Sequence, residues 1–186
     1  MTGSVIRHKK QMNREQTIKN IMTQVVAVVQ ANGVSHESLS QVAAHLASVT
    51  AQLPQWQRTL RAAQPREELL YKLIIDPKTG IALYLVSDGP GSVSPPHEHQ
   101  TWAVIAGGSG TELNHIYRQV DRLSRHVVEV ERIALGSGNT LMLTEESIHA
   151  TEVIGETPTY HLHLYGKSLS RLPRFSNRTF KVVDDV

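Results

Sequence analysis

The sequence contains no cysteine in 186 residues. That absence excludes disulfides, thiolate zinc sites, iron–sulfur clusters and a cysteine nucleophile. Long hydrophobic runs are missing too. Apolar patches such as residues 25–29 are far shorter than the ~20 residues of a membrane helix. No apolar stretch follows the polar, basic residues 1–10, so no signal peptide is expected. There is little charge excess: 19 Lys and Arg against 17 Asp and Glu leave a formal +2. So weak a field does not call for nucleic acid or an anionic membrane as partner. No internal repeat or low-complexity tract stands out. The expectation is a cytoplasmic protein, a compartment with which the lack of cysteine is compatible. The length suggests one compact domain able to bury roughly 70% of its unfolded surface. What is abundant is histidine, with 10 copies.

The first third reads as helical. Met12, Ile18, Ile21, Met22, Val25, Val26 and Val29 form an amphipathic stripe over residues 11–30, and Asn32-Gly33 stops it. Ser35 is a plausible N-cap for a second helix over residues 36–49, with Glu37 in its first turn. Because position 38 is serine, a full capping box is not expected. Residues 54–63 fit a third, shorter helix with Trp56 and Leu60 four apart.

From residue 69 the pattern changes to short strand-like runs: 69–76, 81–87, 101–106, 112–120, 124–133, 140–144, 150–155 and 159–165. Turn chemistry separates most of them, including Gly107-Gly108-Ser109-Gly110 and Gly136-Ser137-Gly138-Asn139. About eight strands at such spacing indicate a mainly β sandwich or barrel, with the helices outside it. The expected organisation is a helical region over residues 1–66 packing on a barrel and C-terminal tail over 67–186. Phe175 and Phe180 are candidate anchors of that tail.

Histidines 97, 99, 115, 126, 149, 161 and 163 all fall in the β region. Two pairs have the pattern His-x-His. On a strand, residues i and i+2 share a face, with Cα atoms roughly 6.5 Å apart, so two imidazoles can converge on one ion at ~2.1 Å. The first pair, His97-Glu98-His99, is entered through Ser94-Pro95-Pro96, whose prolines stiffen the approach. The second, His161-Leu162-His163, continues into Leu164-Tyr165, placing two histidines and a tyrosine on one face. Such a face inside a barrel is expensive unless something uses it. His149 stands between the pairs, after residues 144–148.

Residues 91–99, Gly110 and residues 138–149 resemble the two metal-binding motifs of the cupin superfamily. More closely, residues 97–105, His149 and His161-Leu162-His163-Leu164-Tyr165-Gly166 resemble the bacterial branch of the cysteine dioxygenase (thiol dioxygenase) family. The likeness runs over about residues 69–166. It implies a cupin double-stranded β-helix, or jelly-roll barrel, with an N-terminal helical layer. It also implies Fe(II) held by His97, His99 and His149, with nickel or zinc as alternatives in purified protein, since imidazole suits all three metals. General cupins add a glutamate four or five residues after the first pair. Here Ala103 and Val104 stand there, as in the three-histidine thiol dioxygenases. Three open octahedral positions would remain for a substrate thiolate, a second substrate donor and O2.

The same resemblance gives Tyr165 as the active-site tyrosine and His163 as the histidine that orients it. The cysteine–tyrosine crosslink of some animal members is impossible here. Two departures follow. His161 replaces the family's usual serine and could relay a hydrogen bond to His163. Lys72 is the best match to the family's substrate-carboxylate arginine, but lysine is a point charge without the bidentate fork. This leaves cysteine, another acid or a non-acidic compound as the substrate. Trp102, three residues past the second ligand, is either a substrate-pocket wall or barrel packing. His115, His126 and the Glu129/Glu131 alternation are expected on solvated strand faces, and His8, His36 and His45 in solvent outside the barrel. Glu145 and Glu146 belong to a loop that could border the pocket mouth.

The expected function is oxidation of a small thiol, cysteine-like or a mercapto acid, to its sulfinic acid with O2. The alternatives are a cupin dioxygenase that cleaves a diketone-like compound, and a non-catalytic cupin that binds metal or a small acid. The sequence leaves the oligomeric state open.

Overall fold

The computed structural model describes residues 13–184. Residues 1–12, which include His8, Met12 and the expected start of the first helix, lie outside the described residues, as do residues 185 and 186.

Three helices come first. Helix α1, Arg14–Asn32, begins where Asn13 accepts a hydrogen bond from the Gln16 amide, and ends at Gly33, which lies in the left-handed region at φ 67°. Helix α2, His36–Thr50, is capped by Ser35. The capping box thought absent is present, because the Ser38 hydroxyl accepts from the Ser35 amide at 2.8 Å. A serine at this position is long enough to do the work of the usual glutamate. Helix α3 is shorter than expected, Leu53–Gln57, and the chain beyond it runs on in three-residue turns such as Leu60 N–H to Gln57 O.

Ten strands follow among the described residues: β1 Glu68–Ile75, β2 Ala82–Asp88, β3 His97–Glu98, β4 Ala103–Ser109, β5 Thr111–Gln119, β6 His126–Leu135, β7 Thr140–Leu143, β8 Ile148–Ile154, β9 Thr159–Tyr165 and β10 Lys181–Val182. They form two five-stranded sheets, in the orders β1-β2-β9-β4-β7 and β10-β6-β5-β8-β3. All pairs are antiparallel except β10 with β6. Two such sheets closed face to face make a mainly β, double-sheet jelly roll, with helices outside. Gly107, Gly108 and Ser109, expected in a turn, are the end of β4, and only Gly110 turns, at φ 72°. The glycines serve close packing: a Cβ on Gly108 would lie 2.2 Å from the Leu53 side chain, and one on Gly107 2.0 Å from the Gly136 carbonyl.

Strands β2 and β9 are buried along their whole lengths because both faces of the first sheet are covered. Its outer face packs Leu83, Leu85, Leu162 and Leu164 against Val25, Val42, Leu46 and Leu53 of the helices. Its inner face carries Tyr84, Val86, Ile105 and Tyr165 into a second cluster inside the barrel. Strand alternation therefore sends the even residues of β9 to the helices and His161, His163 and Tyr165 into the barrel.

Among the described residues no helix is long and apolar enough to cross a membrane.

Candidate metal centre

His97 lies on β3, opposite His149 of β8, and His99 follows β3 just before Gln100, which turns the chain at φ 54°. All three histidines are buried, and one nitrogen from each lies within 4.8 Å of the others. Their ring centroids are nearly equidistant, at 4.9, 4.7 and 5.0 Å.

Hydrogen bonds orient two of the rings. His97 Nδ1–H donates to the Pro95 carbonyl at 2.9 Å, which turns its Nε2 to the cluster. His149 Nδ1–H donates to Asn114 Oδ1 at 2.9 Å, while Asn114 Nδ2 donates to Glu112 Oε1 at 3.0 Å. His149 Nε2 is therefore the ligand atom, and it lies 2.9 Å from His99 Nε2. Two nitrogens bound to one ion at ~2.1 Å and at right angles would be ~3.0 Å apart. His99 Nδ1 is buried without a protein partner. The donor set thus fits a metal ion.

Burial is the main cause that lowers the pKa of His97 to about 4 and holds His99 and His149 well below the usual histidine value. All three are neutral at pH 7, as metal ligands must be.

Tyr165 lies next to this group, its ring 4.9 Å from that of His99, with its hydroxyl 3.0 Å from His163 Nδ1. Burial, aided by Glu68 and Glu112, raises the phenol pKa, so Tyr165 keeps its proton. Burial also lowers His163 to about 4. His161 does not relay to His163. Its Nδ1 instead faces Glu112 Oε2 at 3.6 Å.

A cavity of about 510 Å³ opens onto the three histidines, His163, Tyr165 and Glu112. Neither of the two expected substrate contacts reaches it. Lys72 is exposed on the edge strand β1, beyond Glu68 and Leu70, which do line the cavity. Trp102 packs on the outer, helix-side face, with its indole against Gly166. It faces away because it precedes β4 in the register that sends Val104 to the helices and Ala103 into the barrel.

The cationic side chains that do line the cavity are Arg66 and Arg178. Arg178 is buried, donating from Nη1 to the Glu98 carbonyl at 2.9 Å and from Nε to the Pro173 carbonyl at 3.2 Å. It arrives with the C-terminal tail, which runs across the mouth. Phe180 N–H donates to the Pro96 carbonyl and Glu98 N–H to the Arg178 carbonyl. The Phe175 ring lies 5.0 Å from that of His97, tilted by 58°, and Arg125 lies over the Phe180 ring at 4.9 Å. Both phenylalanines are anchors as expected, but the tail also builds the site.

Glu112, Asn114 and Arg178 were the residues missed. The available signal for the first two was a polar pair at i and i+2 in β5, alternating with Thr111, Leu113 and His115. His115, expected in solvent, is mostly buried between Glu129 and Glu152, at 3.1 and 3.2 Å. Its two ring nitrogens suit two carboxylates, which explains Glu129 as well. His36 and His126 are exposed and His45 is half-buried. Glu145 and Glu146 are exposed and away from the cavity.

No protein-family model matches the sequence, and no curated protein matches it. Several solved structures resemble part of it. An oxalate oxidase in complex with the substrate analogue glycolate is 19% identical, over 59% of this chain and 57% of that one, with a TM-score of 0.47. A cupin superfamily protein from Desulfitobacterium hafniense DCB-2 is 17% identical, over 59% of this chain and 86% of that one, with a TM-score of 0.45. A DMSP lyase from Ruegeria pomeroyi DSS-3 is 19% identical, over 61% of this chain and 54% of that one, with a TM-score of 0.47. The matched region thus spans little more than half the length of the oxalate oxidase and of the lyase. The assignment of a jelly-roll fold to this chain rests on its own strand order.

Proposed function

We propose that the protein is a cupin metalloenzyme, a mononuclear non-haem iron dioxygenase that oxidises a small thiol with O2 to its sulfinic acid. The observation that carries this reading is the buried trio His97, His99 and His149 with the hydrogen-bonded pair His163–Tyr165 beside it. When bound, iron would supply the redox chemistry that joins both oxygen atoms to sulfur, RSH + O2 giving RSO2H.

The chain's own residues would do the rest. His97, His99 and His149 hold the ion, and the Pro95 carbonyl and Asn114 fix the rings of the first and third. Tyr165, protonated and held by His163, would present its hydroxyl to a substrate bound beside the three histidines. Arg178 takes the part expected of Lys72. Two of its nitrogens are engaged with backbone carbonyls, and Nη2 has no hydrogen-bond partner among the described residues. A guanidinium fixed in this way suits a carboxylate on the thiol substrate. Phe175 shields the His97 edge of the site from water. A mercapto acid short enough to reach from the ion to Arg178 is the preferred substrate class.

The test is O2 uptake and sulfinate yield with a panel of small thiols, after anaerobic loading with Fe(II). Mercapto acids are expected to turn over, and Arg178→Ala to raise KM for them more than for a thiol without a carboxylate. No turnover of any thiol by fully loaded protein would end this reading. Oxygen uptake with diketones alone would favour carbon–carbon cleavage instead.

A further inference from the structure

A second group of metal-type donors lies in the same barrel, apart from the first. Glu112 on β5 and His161 and His163 on β9 are all buried, and one donor atom from each lies within 4.8 Å of the others. The two sheets bring them together: β9 is the middle strand of the first sheet and β5 the middle strand of the second.

These groups are poorly satisfied by the protein alone. Glu112 Oε2, both ring nitrogens of His161 and Nε2 of His163 are buried with no hydrogen-bond partner. Most buried polar atoms are paired, because each unpaired one has lost its water without gaining a partner. A simple ion pair does not account for the set. His161 Nδ1 is 3.6 Å from Glu112 Oε2, too long for a hydrogen bond, and a charged His161 would bury a second N–H with no acceptor.

The charge around the group favours a cation. Glu112 brings a fully buried acid to the group, and its Oε2 has no hydrogen-bond partner among the described residues. Glu68 and Asp88 line the same cavity. The cavity reaches Glu112 and His163, which gives an ion a way in.

From this geometry we infer that Glu112, His161 and His163 form a second metal site that takes a divalent transition-metal ion. Its donor set differs from the first: two imidazoles and a carboxylate rather than three imidazoles, a set that holds one face of an ion and leaves its other positions open. Asn114 links the two sites, with Oδ1 on His149 and Nδ2 on Glu112. Ligation through His163 Nε2 keeps its proton on Nδ1. Nδ1–H then donates to the Tyr165 oxygen, and the Tyr165 hydroxyl proton is free for the cavity. The second ion thus sets the direction of the hydrogen bond at Tyr165.

The inference does not depend on thiol chemistry, and metal counting tests it. Full-length protein is stripped with chelator, dialysed against Zn(II) buffered below the level that exposed histidines bind, and assayed for zinc per chain. The expected content is two ions in the wild type, one in His149→Ala, one in His161→Gln or Glu112→Gln, and none in His149→Ala/His161→Gln. Glu112→Gln keeps the Oε1 acceptor for Asn114, and His161→Gln touches neither Asn114 nor the first site. A wild type that binds one ion, lost in His149→Ala and kept in His161→Gln, overturns the inference. If both second-site variants fail to fold, the wild-type count decides, and one ion overturns it. Failure of every thiol substrate alongside a count of two would refute the proposed reaction and leave this site standing.

Discussion

The two faces of strand β9 differ more than any two distant parts of the molecule. Leu162 and Leu164 point outward into the layer beneath α1 and α2, fully buried among apolar side chains. His161, His163 and Tyr165, each one residue away, point inward to groups that bind and orient. The outer face needs only volume and apolarity, because dispersion and the hydrophobic effect are not directional. The inner face needs angles and partners, because every polar atom left without one is a penalty. A seven-residue strand serves both purposes because its side chains alternate.

This contrast can be broken from either side. The largest stability effect is expected on the outer face. Leu162→Ala should lower unfolding free energy by about 2–5 kcal/mol, since Leu162 is fully buried and the cavity cannot fully collapse. Its metal affinity should stay near wild type when measured on folded protein. Denaturant unfolding beside zinc titration checks both parts, and a large loss of affinity would show that the faces are not independent.

On the inner side, Asn114→Ala removes the partner that orients His149 and holds Glu112. Metal affinity should fall about 10–100-fold, with a smaller loss of stability than Leu162→Ala. Competition with a chromophoric chelator measures this. An unchanged affinity would mean that the barrel packing alone fixes the ring of His149.

The smallest effect is a pH profile of the metal-free protein. His97 and His163 titrate at about 4 when folded, against 6.5 ordinarily, and His99 and His149 are also lowered, chiefly by burial. Between those pH values the unfolded chain binds protons that the folded histidines refuse, so stability falls as pH drops from 6.5 towards 4. Asp88 acts in the opposite sense. Its folded pKa of about 8, against 3.8 ordinarily, means that stability is lost as pH rises towards 8. The denaturation midpoint should therefore peak near pH 6.5, and Asp88→Asn should flatten the alkaline side. A profile that keeps rising to pH 8 would show that Asp88 is ionised in the folded protein.

Much of this was legible in the chain. The helix stripe from Ile18 to Val29 and the strand runs followed from periodicity, and strand β9 matched its expected bounds of 159 and 165. Of the trio, His97 and His99 were legible from their i, i+2 spacing, and His149 joined them through the resemblance to the cupin metal-binding motifs. Glu112 was marked only by its i, i+2 pairing with Asn114, and nothing local says that this face of the strand is the buried one. Arg178 was hidden in a basic tail, where nothing local tells an arginine that enters a cavity from those that stay in water, such as Arg171 and Arg174.

The sequence by itself determined the elements, the alternation along each strand and the residue types that could bind a metal, because these depend on neighbours a few positions apart. Only the tertiary structure decided which donors meet. Closing one sheet over the other set Glu112 against His161, and the returning tail set Arg178 and Phe175 over the histidines while Lys72 stayed in solvent. Those pairings join positions from 49 to 80 residues apart, as in His161 with Glu112 and Arg178 with Glu98. Their geometry is set by sheet register and barrel closure, which no local pattern encodes.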